Sequence, residues 1–213
     1  MPARFDVRPA LPAGRPEGDR TPRGAGRARG IRRPRPPDEL PTAVDLGCGT
    51  GANAVFLAER GFRVTGIDFS PVALRKAGRL AEERGVGERV RFVQGDLTAA
   101  AIPGVDGPFD LLVDYGTLDD LRGESRRRMA DTVERLSRPG AVFLLWCFYA
   151  ARGDLTWISF NGPSRLAPAI EPGEEERLFG SVFAIERLPK PEPGSRAACF
   201  LMTRRHPQIP GAG

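Results

Sequence analysis

From residue 41 onward the chain alternates short apolar runs with segments of helical spacing, the pattern of a fold in which strands and helices take turns. Thr42–Leu46 is a first strand, apolar apart from Thr42 and Asp45. Gly51–Arg60 carries apolar residues at helical spacing and is closed by Gly61, a residue suited to the left-handed turn past a helix end. Phe62–Ile67 is a second strand. Ser70-Pro71 is an N-cap followed by proline at the first helical position, and the helix it opens runs to about Arg84, ending at Gly85. Val90–Gln94 is a third strand. Phe109–Val113 is a fourth, apolar except for Asp110, as a buried parallel strand should be. Glu124–Leu136 places Met129, Thr132, Val133 and Leu136 on one helical face, and Arg138-Pro139-Gly140 breaks it. Ala141–Phe148 is a fifth strand, the most apolar of all. Residues 150–176 are rich in proline and glycine and predict irregular structure. Leu178–Leu188 and Ala197–Arg204 predict two antiparallel strands.

This order predicts an α/β domain of three layers, with a mostly parallel sheet and a C-terminal antiparallel hairpin. No apolar run in the 213 residues approaches the ~20 needed to span a membrane. Charge changes the picture of the N-terminus. Residues 1–37 hold ten arginines and three acids, a net of +7; the remainder holds the other 22 basic and 24 acidic residues, a net of −2. The high isoelectric point therefore belongs to an extension rich in Arg, Pro and Gly, which composition predicts to be disordered. The expected organisation is an extension over 1–37, one domain over 38–206 and a flexible tail over 207–213. The nearly neutral domain gives no electrostatic reason to bind nucleic acid. Cys48, Cys147 and Cys199 lack metal-ligand spacing, and no metal site is expected; three unpaired cysteines suit a reducing cytoplasm.

The densest signal is Asp45-Leu-Gly47-Cys48-Gly49-Thr-Gly51, followed by a helix and a strand that ends in Asp68-Phe69. Glycines at alternate positions permit a tight turn and let a ligand approach the backbone, while the helix start offers free N–H groups. Gly47-x-Gly49-x-x-Ala52 also satisfies a dinucleotide fingerprint, so NAD is one candidate. Asp45 argues against it. A carboxylate beside the first glycine would repel a pyrophosphate, whereas it would attract a ligand carrying an ammonium and a sulfonium. Asp68 suits a ribose diol in either case.

The run resembles the first motif and following acidic motif of class I S-adenosyl-L-methionine (SAM) dependent methyltransferases, which have a Rossmann-like fold. Val93-Gln94-Gly95-Asp96-Leu97, Phe109–Gly116 and Leu136-Ser-Arg-Pro139-Gly140-Ala141 resemble further motifs of that family, so the similarity covers residues 41–148. The resemblance implies SAM as cofactor and S-adenosyl-L-homocysteine (SAH) as product. It implies that Asp45, Gly47, Cys48, Gly49 and Gly51 surround the methionine part, with Asp114 nearby, that Asp68 and Phe69 hold the ribose end, and that Asp96 and Leu97 hold the adenine. Asp114-Tyr-Gly-Thr-Leu-Asp119-Asp120 is similar to the tellurite-resistance, thiopurine and thiol methyltransferases that act on small molecules. Many of those carry a His pair where Asp119 and Asp120 stand here.

Candidate catalytic groups facing the acceptor are Asp114, Tyr115 and Asp119, with Asp120 beside them. His206 lies in an Arg-Arg-His-Pro tail and is read as a solvent-exposed residue. Trp146, Phe148, Tyr149, Trp157 and Phe160 cluster after the fifth strand and form either an acceptor wall or ordinary core. Cys48 has no base nearby and is not read as a nucleophile. The partner expected is a small-molecule acceptor, with no membrane and a monomer or homodimer. Two other readings stay open: a non-catalytic SAM-binding protein, and a methyltransferase that reaches nucleic acid or protein through the basic arm.

Overall fold

The computed structural model describes residues 40–154, 157–158, 165–166, 169–189 and 196–207. All of them lie in the unit Leu40–Gly213. The readings made for residues 1–37, for the Trp157 and Phe160 rings and for the tail beyond residue 207 lie outside the described residues.

Seven strands form one sheet in the order β3-β2-β1-β4-β5-β9-β8. They are β1 (Thr42–Leu46), β2 (Arg63–Asp68), β3 (Val90–Gln94), β4 (Phe109–Tyr115), β5 (Ser137–Phe148), β8 (Phe183–Arg187) and β9 (Ala197–Arg204), while β6 (Trp157–Ile158) and β7 (Arg165–Leu166) pair separately. The pairs from β3 through β5 are parallel, and β9 is antiparallel to both β5 and β8. The helices are α1 (Ala52–Glu59), α2 (Pro71–Glu83), α3 (Gly123–Leu136) and α4 (Glu174–Phe179). α1 and α2 pack on each other and against β1–β3; α3 and α4 pack on each other and against β5 and β8. The chain steps one way from β1 to β2 and β3 and the other way from β4 to β5. Right-handed crossovers then put the two helix pairs on opposite faces, which makes three layers.

The two faces bury different side chains. Towards α1 and α2 the buried residues include five alanines, Ala43, Ala54, Ala58, Ala77 and Ala81, beside Val55, Leu57 and Val64. The other face carries the bulky core, with Leu112, Met129, Leu136, Phe143, Phe179, Phe183 and Phe200 all at or below 1 % exposure. Ser70 caps α2, its hydroxyl accepting from the Ala73 amide at 3.2 Å, and Gly85 takes a φ of +67° just beyond the helix, as its sequence predicts.

Two element boundaries differ from expectation. Arg138-Pro139-Gly140 does not separate α3 from β5: Ser137 already pairs with Phe109, and a register shift follows before Leu111 pairs with Val142. The Arg138 guanidinium anchors this bulge on Asp110 at 3.0 Å and on the Pro108 carbonyl at 2.8 Å. In addition, Leu178 belongs to α4 and not to a strand; the last-but-one strand is only Phe183–Arg187. Glu174, Glu175 and Glu176 occupy the first turn of α4, where acids favour a helix start. The segment expected to be irregular also contains β6, β7 and that first turn.

Candidate cofactor and acceptor site

The site lies at the C-terminal ends of the parallel strands. β1 has β2 on one side and β4 on the other, so the chain reverses direction there and opens a crevice. After β1 the backbone turns through Gly47 at φ +72°, Gly49 at +52° and Gly51 at +86°. Gly47 is needed for a close approach: a Cβ there would come within 2.0 Å of the Thr117 Oγ1. That hydroxyl donates to the Leu46 carbonyl at 3.1 Å, seating the turn after β4 against the glycine loop. A Cβ at Gly49, by contrast, would meet nothing within 4 Å. This is the open side of the loop.

Asp68 ties the loop to the next turn. Its Oδ2 accepts from the Gly49 amide and its Oδ1 from the Ser70 amide, both at 2.8 Å. Each oxygen keeps a second lone pair for a ligand hydroxyl. Asp45 is 1 % exposed, and burial pushes its carboxyl up to about 7, aided by nearby Asp68 and opposed by the Ala54 amide and Asn53 side chain. Its Oδ2 has no hydrogen-bond partner. Phe69, next to Asp68, is 79 % exposed. At the end of β3, Asp96 is exposed and its Oδ1 accepts from the Thr98 amide at 2.8 Å and the Thr98 hydroxyl at 2.7 Å; these bonds, the amide first, hold its carboxyl below the usual range. Leu97 is buried in the core.

The acceptor-side candidates separate. Asp114 is fully buried, and both its oxygens accept from the turn that follows, Oδ1 from the Thr117 amide at 2.8 Å and Oδ2 from the Leu118 amide at 3.0 Å. Burial, with Asp119 and Asp45 nearby, raises its carboxyl to about 8 despite those two bonds. It caps the turn that follows β4. Asp119 is also buried; burial lifts its carboxyl to about 6. Its Oδ2 accepts from the Phe148 amide at 3.1 Å, and its Oδ1 has no partner. Asp120 and His206 are exposed. Tyr115 stacks on Trp146, with centroids 4.4 Å apart and planes 12° apart. Burial raises the Tyr115 hydroxyl's pKa.

Arg126 is a group the sequence reading missed. It is 6 % exposed on α3. Its Nε donates to the Leu118 carbonyl at 3.1 Å, its Nη2 to the carbonyls of Asp119 at 2.9 Å and Ala169 at 3.1 Å, and its Nη1 pairs with Glu174 at 2.8 Å. One guanidinium thus joins the turn after β4, the segment after β5 and α4. The only hint in the sequence was an arginine three residues before Met129, on the apolar face of a predicted helix. Cys48 is buried, and burial with Asp45 and Asp68 nearby pushes its thiol well above the usual range, so it is inert at neutral pH. Among the described residues no three His, Cys, Asp or Glu side chains converge as a metal site, and no helix is long and apolar enough to cross a membrane.

The methyltransferase-domain family matches residues 43–140, from within β1 to the bulge of β5. Residues 43–140, just under half of the chain, thus match a methyltransferase domain. The cofactor of that family is SAM, and the glycine turn, the unpartnered Asp45 oxygen and Asp68 fit it. The domain is similar to the release factor glutamine methyltransferase of Chlorobaculum tepidum, 50 % identical over 78 residues, covering 35 % of this chain and 26 % of that protein. It is also similar to the 2-heptyl-1-hydroxyquinolin-4(1H)-one methyltransferase of Mycobacteroides abscessus, 33 % identical over 105 residues, covering 49 % of this chain and 45 % of that one. The chain spans only 26–58 % of the length of the curated relatives it matches. A glycopeptide N-methyltransferase solved with SAM superposes with a TM-score of 0.64 at 18 % identity, over 79 % of this chain and 89 % of that one. The Burkholderia thailandensis 1,6-didemethyltoxoflavin N1-methyltransferase, solved with SAH, superposes with a TM-score of 0.59 at 24 % identity, over 78 % and 72 %. These two likenesses show the methyltransferase fold.

Proposed function

We propose that the chain transfers the methyl group of SAM to a small-molecule acceptor by in-line displacement. The observation that carries this reading is the glycine turn, open at Gly49, with an unpartnered buried carboxylate oxygen at Asp45 and with Thr117 joining it to the aromatic pair Tyr115–Trp146. A cation-binding cradle and an aromatic acceptor side thus adjoin. Asp45, Gly47, Gly49 and Gly51 would hold the methionine part, Asp68 and Phe69 the ribose end, and Asp96 and Leu97 the adenine.

SAM supplies a methyl already activated by its sulfonium: the acceptor's lone pair forms the new bond to carbon while the carbon–sulfur pair stays on sulfur. The chain then has to hold nucleophile, carbon and sulfur in line. Because Asp114 is occupied by two amides, the reading favours acceptors that need no strong base. The relatives acting on a hydroxyquinolinone and a toxoflavin precursor, by their names, support a small acceptor. The three cysteines are buried free thiols, in keeping with a reducing compartment such as the cytoplasm. The domain would extend over 38–206, as a monomer or homodimer.

Calorimetric titration with SAH and, in parallel, NADH tests the reading. SAH is expected to bind and NADH not to. Binding of NADH alone would overturn it. Deleting residues 1–37 should leave SAH binding and small-molecule methylation intact; loss of methylation of a polymer alone would favour the basic arm as its docking segment.

A further inference from the structure

Tyr115 ends β4, and Trp146 and Phe148 end β5; Tyr115 and Trp146 are paired across the two strands. Their rings lie almost parallel, and Phe148 meets Trp146 edge-on at 5.5 Å. Aromatic residues that only fill core are buried here, as Phe143, Phe179 and Phe200 are at 0–1 %. Tyr115 is instead 38 % exposed and Phe148 49 %. The three rings therefore form a step that presents aromatic area to solvent.

The step adjoins the cofactor cradle. The turn that begins at Gly116 reaches Gly47 through Thr117. It is also rigidly held: Arg126 grips the Leu118 and Asp119 carbonyls, and the Asp119 carboxylate grips the Phe148 amide. Its charge is one-sided. A Cβ built on Gly116 would lie 3.8 Å from the Trp146 ring and 3.9 Å from the Asp119 Oδ1, so Gly116 sits between the indole and a buried carboxylate oxygen without a hydrogen-bond partner. Asp120 is exposed beside it, the buried Asp114 carboxyl keeps its proton and adds no charge, and the Arg126 guanidinium is committed to Glu174 and three carbonyls. Carboxylates in a poorly solvated setting act strongly over such distances, and they disfavour an anionic ligand.

Resting on the methyl-transfer reading above, we propose that the step formed by Tyr115, Trp146 and Phe148 is the acceptor platform, and that it takes a flat aromatic acceptor carrying no negative charge. The acceptor ring extends the offset stack of Tyr115 and Trp146, an arrangement aromatic faces prefer, and Phe148 borders it.

Three probes of similar size decide the matter at pH 7.5: 1-naphthol (flat, neutral), 1-decalol (saturated, neutral) and 1-naphthoate (flat, anionic). Each is titrated calorimetrically against the full chain, with and without saturating SAH. The expected result is that 1-naphthol binds at least about tenfold tighter than either other probe. Phe148→Ala and Tyr115→Ala should each weaken 1-naphthol by about three- to tenfold while leaving SAH affinity within about twofold; one lost stacking contact is worth roughly 0.5–1.5 kcal/mol. Equal binding of 1-naphthol and 1-decalol, tighter binding of 1-naphthoate, or two folded variants that bind 1-naphthol unchanged would each overturn the platform. Failure of SAH to bind would overturn the methyl-transfer reading separately, because the 1-naphthol ratios without SAH still decide the platform.

Discussion

The two sides of the crevice are assembled by different means. On the cofactor side the groups for the methionine and ribose parts come from one continuous stretch, Asp45 to Ser70, with Asp96 and Leu97 added after β3, and the work is done by backbone: left-handed glycines, a helix start and amides held by Asp68. On the acceptor side the groups come from β4, α3, β5 and α4, and they meet because one buried guanidinium and one buried carboxylate hold distant segments together. Local geometry tolerates few substitutions at single positions. A long-range tie fails all at once when its centre is removed.

The sharpest way to break this contrast is Arg126→Met. It leaves Glu174 and three carbonyls short of a buried partner, and should cost about 3–5 kcal/mol, read by urea denaturation. Arg126→Lys keeps the charge but not the fork of donors, and should recover only part of the loss. A cost below 1 kcal/mol for Arg126→Met would mean that the tie is decorative.

Two glycines sharpen the comparison from the other side. Gly47→Ala drives a methyl into Thr117 at a positive φ and should cost about 2–3 kcal/mol. Gly49→Ala has open space and should cost only about 1 kcal/mol, yet should weaken SAH strongly, since the methyl points where the ligand approaches. Equal stability losses, or normal SAH affinity in Gly49→Ala, would contradict the picture of one packed and one open glycine.

The pH dependence comes next. Asp45 at about 7 and Asp114 at about 8 keep their protons when folded, whereas an unfolded carboxyl ionises near ~3.9. The folded state therefore binds more protons, and stability falls as pH rises from about 4 to about 8. Asp45→Asn should flatten this fall and raise stability at pH 8 by roughly 1–2 kcal/mol, while weakening SAH. A profile that Asp45→Asn leaves unchanged would show that Asp45 does not hold its proton. The smallest effect belongs to the surface: Arg84 and Glu59 pair at 2.9 Å with side chains 47 % and 31 % exposed, and Glu59→Ala should cost no more than ~0.5 kcal/mol.

The cofactor side was legible before any coordinates because its signals are local. Gly47, Gly49 and Gly51 all take positive φ, Ser70 caps α2, and Asp68 closes the loop. The acceptor side was read less well. Asp114 reads in the sequence as a group facing the acceptor; β4 runs on to Tyr115 and the next turn folds back onto its carboxylate. Leu178 fits a strand pattern, but three glutamates ahead of it start a helix. Arg126 reads as an ordinary polar residue of α3.

The sequence by itself determined the alternation of strands and helices, the glycine turn with its flanking acids, and hence the domain type and its cofactor, because turns, caps and amphipathic spacing act over a few residues. Only the tertiary structure decided that β9 inserts between β5 and β8, that Arg138-Pro139-Gly140 is a bulge inside β5, and that Arg126, Asp119 and Phe148 form one unit beside the Tyr115–Trp146 pair. Those outcomes depend on which distant segments share one buried volume and satisfy each other's polar groups there, and no short window of sequence carries that information.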